Sequence, residues 1–395
     1  MIPYGQQDIN QADIDAVLAV LTSSHLTQGP QVPKFEAGLC QVTGANYAVA
    51  VNSATSALHI ACLALGVNAG DTVWTSPITF VASANCALYC GAKIDFVDID
   101  INSGNMCPVA LANKLKWAEA NGCLPKVIIP VHLAGHSCDM QAIAQLVQPL
   151  GISIIEDASH GIGGCYQEAM VGRCQYSDIC IFSFHPVKII TSAEGGVATT
   201  MDERLAKKMM MARSHGITKE ACDMLRTDEG DWYYEQHSLG LNYRMTELQA
   251  ALGISQLSRL AEFVAKRNQL ALQYQSLLAP LPLSPVLPLD GSISSYHLQI
   301  VRLDDSSIRC RVFDDMRALG IQVHVHYFPV HLQPYYLNLG FRAGQFPQAE
   351  QFYQHILTLP LFPGLTELEQ TFIVDSLSHM LSQQELSKIK SCKSK

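Results

Sequence analysis

The sequence predicts an α/β fold, a mostly parallel sheet flanked by helices with a smaller C-terminal α/β domain. Three observations carry that expectation. Short β-type runs alternate with helical patterns from residue 47 to residue 200. Some of those runs, such as 47–52 and 178–184, are almost wholly apolar, as strands buried on both faces are. At 395 residues the chain exceeds what one compact core usually holds. Two domains are therefore expected, a large one over 1–250 and a small one over 251–395.

Taken in order, residues 8–24 place Ile9, Ile14, Val17, Leu18 and Leu21 at helical spacing, with Asp13 and Asp15 facing elsewhere. That predicts an amphipathic first helix. A turn-rich link over 26–32 follows. No charged side chain occurs from Ala45 to Gly70, a length that could span a bilayer. The polar cluster 52–56 and the turn 66–70 interrupt it, so a buried strand (47–52), a polar turn and a buried helix (54–65) explain it better. Strands at 72–75, 93–98, 127–131 and 153–156 then alternate with helices at 81–89, 109–120 and 140–150. Another strand, 178–184, precedes a turn, and a second leaves from the pair Gly195-Gly196. Helices are expected over 206–215, from Glu247 to Leu257, and over 260–277, with 219–236 the most loop-like stretch. The proline-rich segment 280–288 reads as an inter-domain boundary region. Beyond it lie a strand at 297–302, a helix at 310–319 and a strand-like run at 322–327.

Composition excludes several classes. Residues 1–7 have neither a basic start nor an apolar signal core, so a cytoplasmic protein is expected. Its thirteen cysteines then read as reduced thiols, and no CxxC pair offers a zinc framework. His132 and His136 form an HxxxH, but Gly135 stands between them and no following glutamate completes a metalloprotease helix. No metal is expected. A net charge of −9 argues against a nucleic-acid partner, while an anionic small substrate needs only a few local cations.

Lys188 sits in a turn between two β-type runs, flanked by small and apolar residues. Desolvated there, it becomes a carbonyl-reactive amine; in isolation it would read as a solvated charge. Asp157 ends the apolar run 153–156, where function gathers in such sheets, and would otherwise read as a helix cap. The helix starting at Ala54 offers free N–H groups to a phosphate, with an ordinary Ser/Thr cap as the alternative. Phe80 would normally be core and His160 a structural histidine. After the 153–156 strand, Gly161-Ile162-Gly163-Gly164 lacks the third glycine of a dinucleotide fingerprint. In 323–331, histidines recur at period two, consistent with a sheet edge bearing one polar face or with substrate contact.

Two stretches, Glu156-Asp157-Ala158-Ser159-His160 and Ser183-Phe184-His185-Pro186-Val187-Lys188, resemble the cofactor site of the DegT/DnrJ/EryC1/StrS sugar aminotransferases. Thr27-Gln28-Gly29-Pro30, Asn52-Ser53-Ala54-Thr55-Ser56-Ala57-Leu58 and Asn242-Tyr243-Arg244 are similar to further motifs, so the resemblance covers nearly the whole chain. It implies the fold type I architecture of pyridoxal 5'-phosphate (PLP) enzymes. Lys188 would then hold PLP covalently and move the proton, and Asp157 would keep the proton on the ring nitrogen. His160 and Phe80 would lie on opposite ring faces, and Ala54, Thr55 and Ser183 would complete the cofactor site. Asn242 would reach the phosphate held by a neighbouring subunit, which implies a homodimer with shared sites.

Thr27 would lie near the substrate, and Tyr327 and His331 at the entrance. Some relatives carry histidine in place of this lysine and are dehydratases; lysine here implies amino transfer. Segments 52–59, 74–77 and 84–92 are similar to the branch serving pseudaminic acid biosynthesis. That branch uses L-glutamate to aminate a UDP-linked 4-keto-6-deoxy-2-acetamido sugar of the L-series. A dTDP- or GDP-linked keto sugar and a silent PLP-binding regulatory homologue are the alternatives. Arg213, Arg226 and Arg244 are candidate cations for the sugar diphosphate.

Overall fold

The computed structural model describes residues 1–226 and 228–393, from residue 383 onward by backbone alone. Seven strands form the main sheet: Tyr47–Val51 (β1), Thr72–Thr75 (β2), Lys93–Phe96 (β3), Val127–Ile129 (β4), Ser153–Asp157 (β5), Ile179–Ser183 (β6) and Gly196–Thr200 (β7). Their order is β1-β7-β6-β5-β4-β2-β3. From β6 to β3 every pairing is parallel, and β7 runs antiparallel to both of its neighbours. The mostly parallel sheet read from the alternation is thus present. It has one reversed strand, because residues 184–195, which join β6 to β7, form a helix-free loop where a parallel pairing would need a crossover.

Helices cover both faces. In chain order they are Gln11–Leu21 (α1), Gln31–Thr43 (α2), Ala54–Ala64 (α3), Ala82–Tyr89 (α4), Pro108–Ala120 (α5), Met140–Val147 (α6), Glu203–Arg213 (α7), Glu247–Leu257 (α8) and Leu260–Leu278 (α9). Strand alternation assigns the faces. Val49 and Val51 of β1 enter a core with Leu58 and Ala61 of α3 and Ala84 and Ala87 of α4. Ala48 and Ala50, one residue out of phase, meet Phe35 and Leu39 of α2 and Ala250 of α8. Burial on both sides explains why these strands are apolar without interruption.

A three-stranded antiparallel sheet lies toward the C-terminus: Leu283–Pro285 (β8), Gln299–Leu303 (β9) and Ile356–Leu359 (β10). The segment read as a proline-rich boundary therefore contains a strand, and its Pro285 is tolerated because β8 is an edge. The strand-like run at 322–327 makes only the single bridge His324 to Thr358 against β10. Helix α9 joins the two cores. Leu260 and Phe263 pack with the main sheet, whereas Leu270, Tyr274 and Leu278 pack under the small one. Between them the buried Arg267 donates to the carbonyls of Tyr296, His297 and Leu361, which offsets part of its desolvation. Residue Ile2 is bonded to Gly320 and Gln322, so the chain's start lies against this C-terminal part.

One expectation about α1 is reversed. Asp13 is buried, not turned outward, and its carboxylate accepts from Arg259 at 2.6 Å and Gln256 at 2.7 Å. Ile14, Leu18 and Leu21 stay 52–55% exposed in the single chain. The ion pair, which pulls a carboxylate inward, decides which face of α1 docks on α8. Among the described residues no helix is long and apolar enough to cross a membrane. His132 and His136 do not converge on a shared ligand: His132 bonds Glu156 at 2.8 Å and His136 bonds Ser294 at 2.7 Å.

Candidate active site

The strand ends build the site. Parallel β5 and β6 terminate side by side, with Asp157 in register with Ile181, so Asp157 and the turn carrying Lys188 emerge from the same edge. Gly196 opens β7 opposite both Ser183 and Val51, which brings the start of α3 to that edge as well. The approach is close: a Cβ at Gly196 would lie 2.4 Å from the backbone of Ser53 and Ala54. Only glycine allows it.

These edges enclose a cavity of about 820 Å³, within the range of small-molecule sites. Lys188, Asp157, His160, Ser183, Ala54 and Thr55 all line it, and so do Phe80 and Tyr327. Eight of the residues singled out from sequence thus converge. Three do not. Thr27 is exposed in the loop before α2, Asn242 is exposed beside Ser214, and neither lines the cavity. His331 is buried away from it, bonded to Glu350 at 3.1 Å. The candidate arginines also lie outside. Arg213 is held by Glu36 and the Ala50 carbonyl, and Arg226 is near Glu229; Arg244 bridges to Val51.

Burial pushes the Lys188 amine down to about 8, against an opposing pull from Asp157. A minority of it is therefore neutral and nucleophilic near physiological pH, far more than for a solvated lysine. Asp157 is held by two donors, the Ser83 hydroxyl at 2.6 Å and the Ser159 N–H at 3.1 Å. No cation occupies either bond. At the other wall, Ser53 caps α3 by accepting from the Ser56 N–H, and Ser56 in turn donates to Asn52. The earlier N–H groups of Ala54 and Thr55 have no intrahelical acceptor, and they sit at the positive end of the helix dipole.

This donor set fits PLP: an anion cradle, a carboxylate for a ring nitrogen, a neutral lysine and ring-bearing side chains around one cavity. Sequence reasoning missed Ser83, Tyr4 and His326, which also line the cavity. Ser83 stands three residues after Phe80, a spacing that puts both at the start of α4. His326 lies inside the alternating histidine run, whose period could not say which member turned inward.

A model of the DegT/DnrJ/EryC1/StrS aminotransferase family matches residues 7–378. The chain belongs to that family. It is 37% identical over 388 residues to the UDP-4-amino-4,6-dideoxy-N-acetyl-beta-L-altrosamine transaminase of Campylobacter jejuni, covering 97% of this chain and 98% of that one. It is 36% identical over 383 residues to the spore coat polysaccharide biosynthesis protein SpsC of Bacillus subtilis, covering 95% and 96%. Among solved structures, Helicobacter pylori PseC, an aminotransferase involved in pseudoaminic acid biosynthesis, superposes with a TM-score of 0.89 at 32% identity, covering 97% and 99%. The fold type I architecture implied by the motifs is thus the fold of this chain, which is a PLP-dependent sugar aminotransferase.

Proposed function

We propose that this chain transfers the amino group of L-glutamate to C4 of a UDP-linked 4-keto-6-deoxy-2-acetamido-L-hexose. The observation that carries the reaction type is Lys188, half-buried in the cavity that also holds Asp157, its amine brought down to about 8 by desolvation. The acceptor rests on the likeness to the Campylobacter transaminase and to PseC.

Bound along this cavity, PLP supplies the electron sink that makes the donor's α-proton removable. Asp157, fixed by Ser83 and Ser159, would hold the proton on the ring nitrogen. The N–H groups of Ala54 and Thr55 would receive the phosphate, with Ser183 also lining the cavity, and His160 and Phe80 would lie by the ring. Lys188 Nζ takes the α-proton of glutamate and later delivers a proton to C4 of the sugar. An amine titrating near 8 can do both, because neither its neutral nor its charged form is rare at working pH. Glutamate leaves as 2-oxoglutarate, its keto oxygen coming from a water, and the sugar's keto oxygen leaves as a second water, so no water is gained or lost overall.

The cavity of one chain has Lys188 as its only lysine or arginine among the lining residues. A diphosphate-bearing substrate therefore calls for cations from elsewhere. The exposed Asn242 and the outward apolar residues of α1 agree with a homodimer in which each subunit completes the other's site. The test is spectroscopic: the visible PLP band should bleach with L-glutamate and recover on adding the UDP-linked L-series keto sugar. Recovery with a dTDP- or GDP-linked sugar instead would reassign the acceptor. No bleaching would favour a silent homologue.

A further inference from the structure

His160 is held from one side by Tyr327. The phenol oxygen lies 3.1 Å from His160 Nε2, and the two rings are nearly parallel, at 23° with centroids 6.1 Å apart. His160 Nδ1 is buried without a hydrogen-bond partner. The His297 ring lies next to it at 4.4 Å, and His297 Nδ1 is also unpartnered. The backbone behind is fixed, since the Ser295 hydroxyl donates to the His160 carbonyl at 2.6 Å.

We propose that Tyr327 is a positioning residue that fixes His160 as the neutral tautomer protonated at Nδ1, so that His160 cannot act as a base beside Lys188. This rests on the cofactor site proposed above. A phenol O–H is a strong donor and imidazole nitrogen a strong acceptor, so the proton of this contact belongs to Tyr327. Nε2 is then the acceptor and Nδ1 carries the ring proton. The Nδ1 proton then has no acceptor, a cost that the Tyr327 contact at Nε2 must exceed. The charged form is disfavoured from several directions: burial first, then the charges of Lys188, His326, His136 and His132. Burial likewise raises the Tyr327 phenol, with Tyr4 and Asp157 adding to it, so it remains a donor.

The consequence is a division of labour. A neutral histidine close to Lys188 would ordinarily compete for a substrate proton. With its lone pair engaged by Tyr327, His160 presents a neutral ring toward the cavity and leaves proton movement to Lys188. Tyr327, read from sequence as an entrance residue, thus acts through His160.

The experiment is nitrogen NMR of the full chain with 15N-labelled histidine imidazoles, His160 being assigned through His160→Gln. Wild type should show the Nδ1-protonated pattern at His160, unchanged from pH 6 to 8. In Tyr327→Phe, which keeps the ring and removes only the hydroxyl, the signals should move to the Nε2-protonated form or an exchanging mixture. An Nε2-protonated pattern in wild type overturns the proposal, and so does an unchanged tautomer in Tyr327→Phe. The wild-type spectrum decides even if the variant folds poorly. PLP affinity, read by equilibrium dialysis, should fall about fivefold in Tyr327→Phe, the worth of one hydrogen bond. A wild-type chain that takes up no PLP would defeat the reading of the site, yet leave the tautomer measurement standing.

Discussion

The floor and the mouth of the cavity are built differently. At the floor, Asp157 and Gly196 sit on the ends of β5 and β7 and Lys188 on the turn after β6, beside a core where Ile155, Ile181 and Ala198 are fully buried. At the mouth, Phe80 is 59% exposed and 322–327 makes one isolated bridge, while Thr27 and Asn242 are exposed outside the cavity. One chain thus contains the groups for amino transfer but few of those needed to grip a charged sugar. Reaction type belongs to the rigid floor and substrate choice to the open mouth.

The most severe way to break this contrast is Lys188→Ala. It should abolish steady-state transfer, with the glutamate half-reaction falling by at least ~10³-fold because the general base is gone. Stopped-flow bleaching of the visible band measures it. Residual transfer above that level would mean that another base serves, and would count against a His160 locked by Tyr327. Asp157→Asn comes next, expected to cost roughly 10²-fold in the same half-reaction. The amide oxygen can keep the Ser159 N–H while the amide NH2 donates to a rotated Ser83 hydroxyl, so thermal unfolding should change little.

The pH dependence sharpens the floor further. Because burial lowers the Lys188 amine to about 8, the neutral form is the minority below that value and dominates above it. Reloading of PLP-stripped protein should therefore accelerate about tenfold per pH unit up to pH 8 and level off beyond. A profile still rising toward pH 10 would mean a solvated lysine. Smaller again is Gly196→Ala, whose Cβ would press on the backbone of Ser53 and Ala54. It should lower stability by about 1–3 kcal/mol and weaken PLP binding, leaving the pH profile in place.

How much of this was legible follows the same divide. The alternation over 47–200 was readable because both-face burial leaves apolar runs, whereas α2 and β10 were not read; Asp157 and Lys188 were singled out because they lie at or just beyond strand ends. Asp13 was misread because periodicity weighs hydrophobicity alone, and the partner that draws it inward, Arg259, is far away in sequence. Strand β8 was missed because prolines are a poor strand signal except at an edge, and edges are a property of the whole sheet. Ser83 carries no chemical signature in sequence. Its role appears only when α4 is set beside β5.

The smallest expected effect tests the mouth. From its motif His331 belongs at the entrance, yet the folded chain buries it against Phe346, ring centroids 4.8 Å apart, with Nε2 on Glu350 at 3.1 Å. Glu350 also accepts from the Gly344 N–H, so His331 helps to hold the turn before residues 347–355. Burial lowers its pKa, in keeping with a neutral structural ring. His331→Gln can preserve the bond to Glu350 while losing ring packing. Unfolding should show a loss of about 1–2 kcal/mol, with KM for glutamate and for the sugar both unchanged. A rise in the sugar's KM alone would return His331 to the entrance, and would mean that the mouth rearranges when substrate arrives.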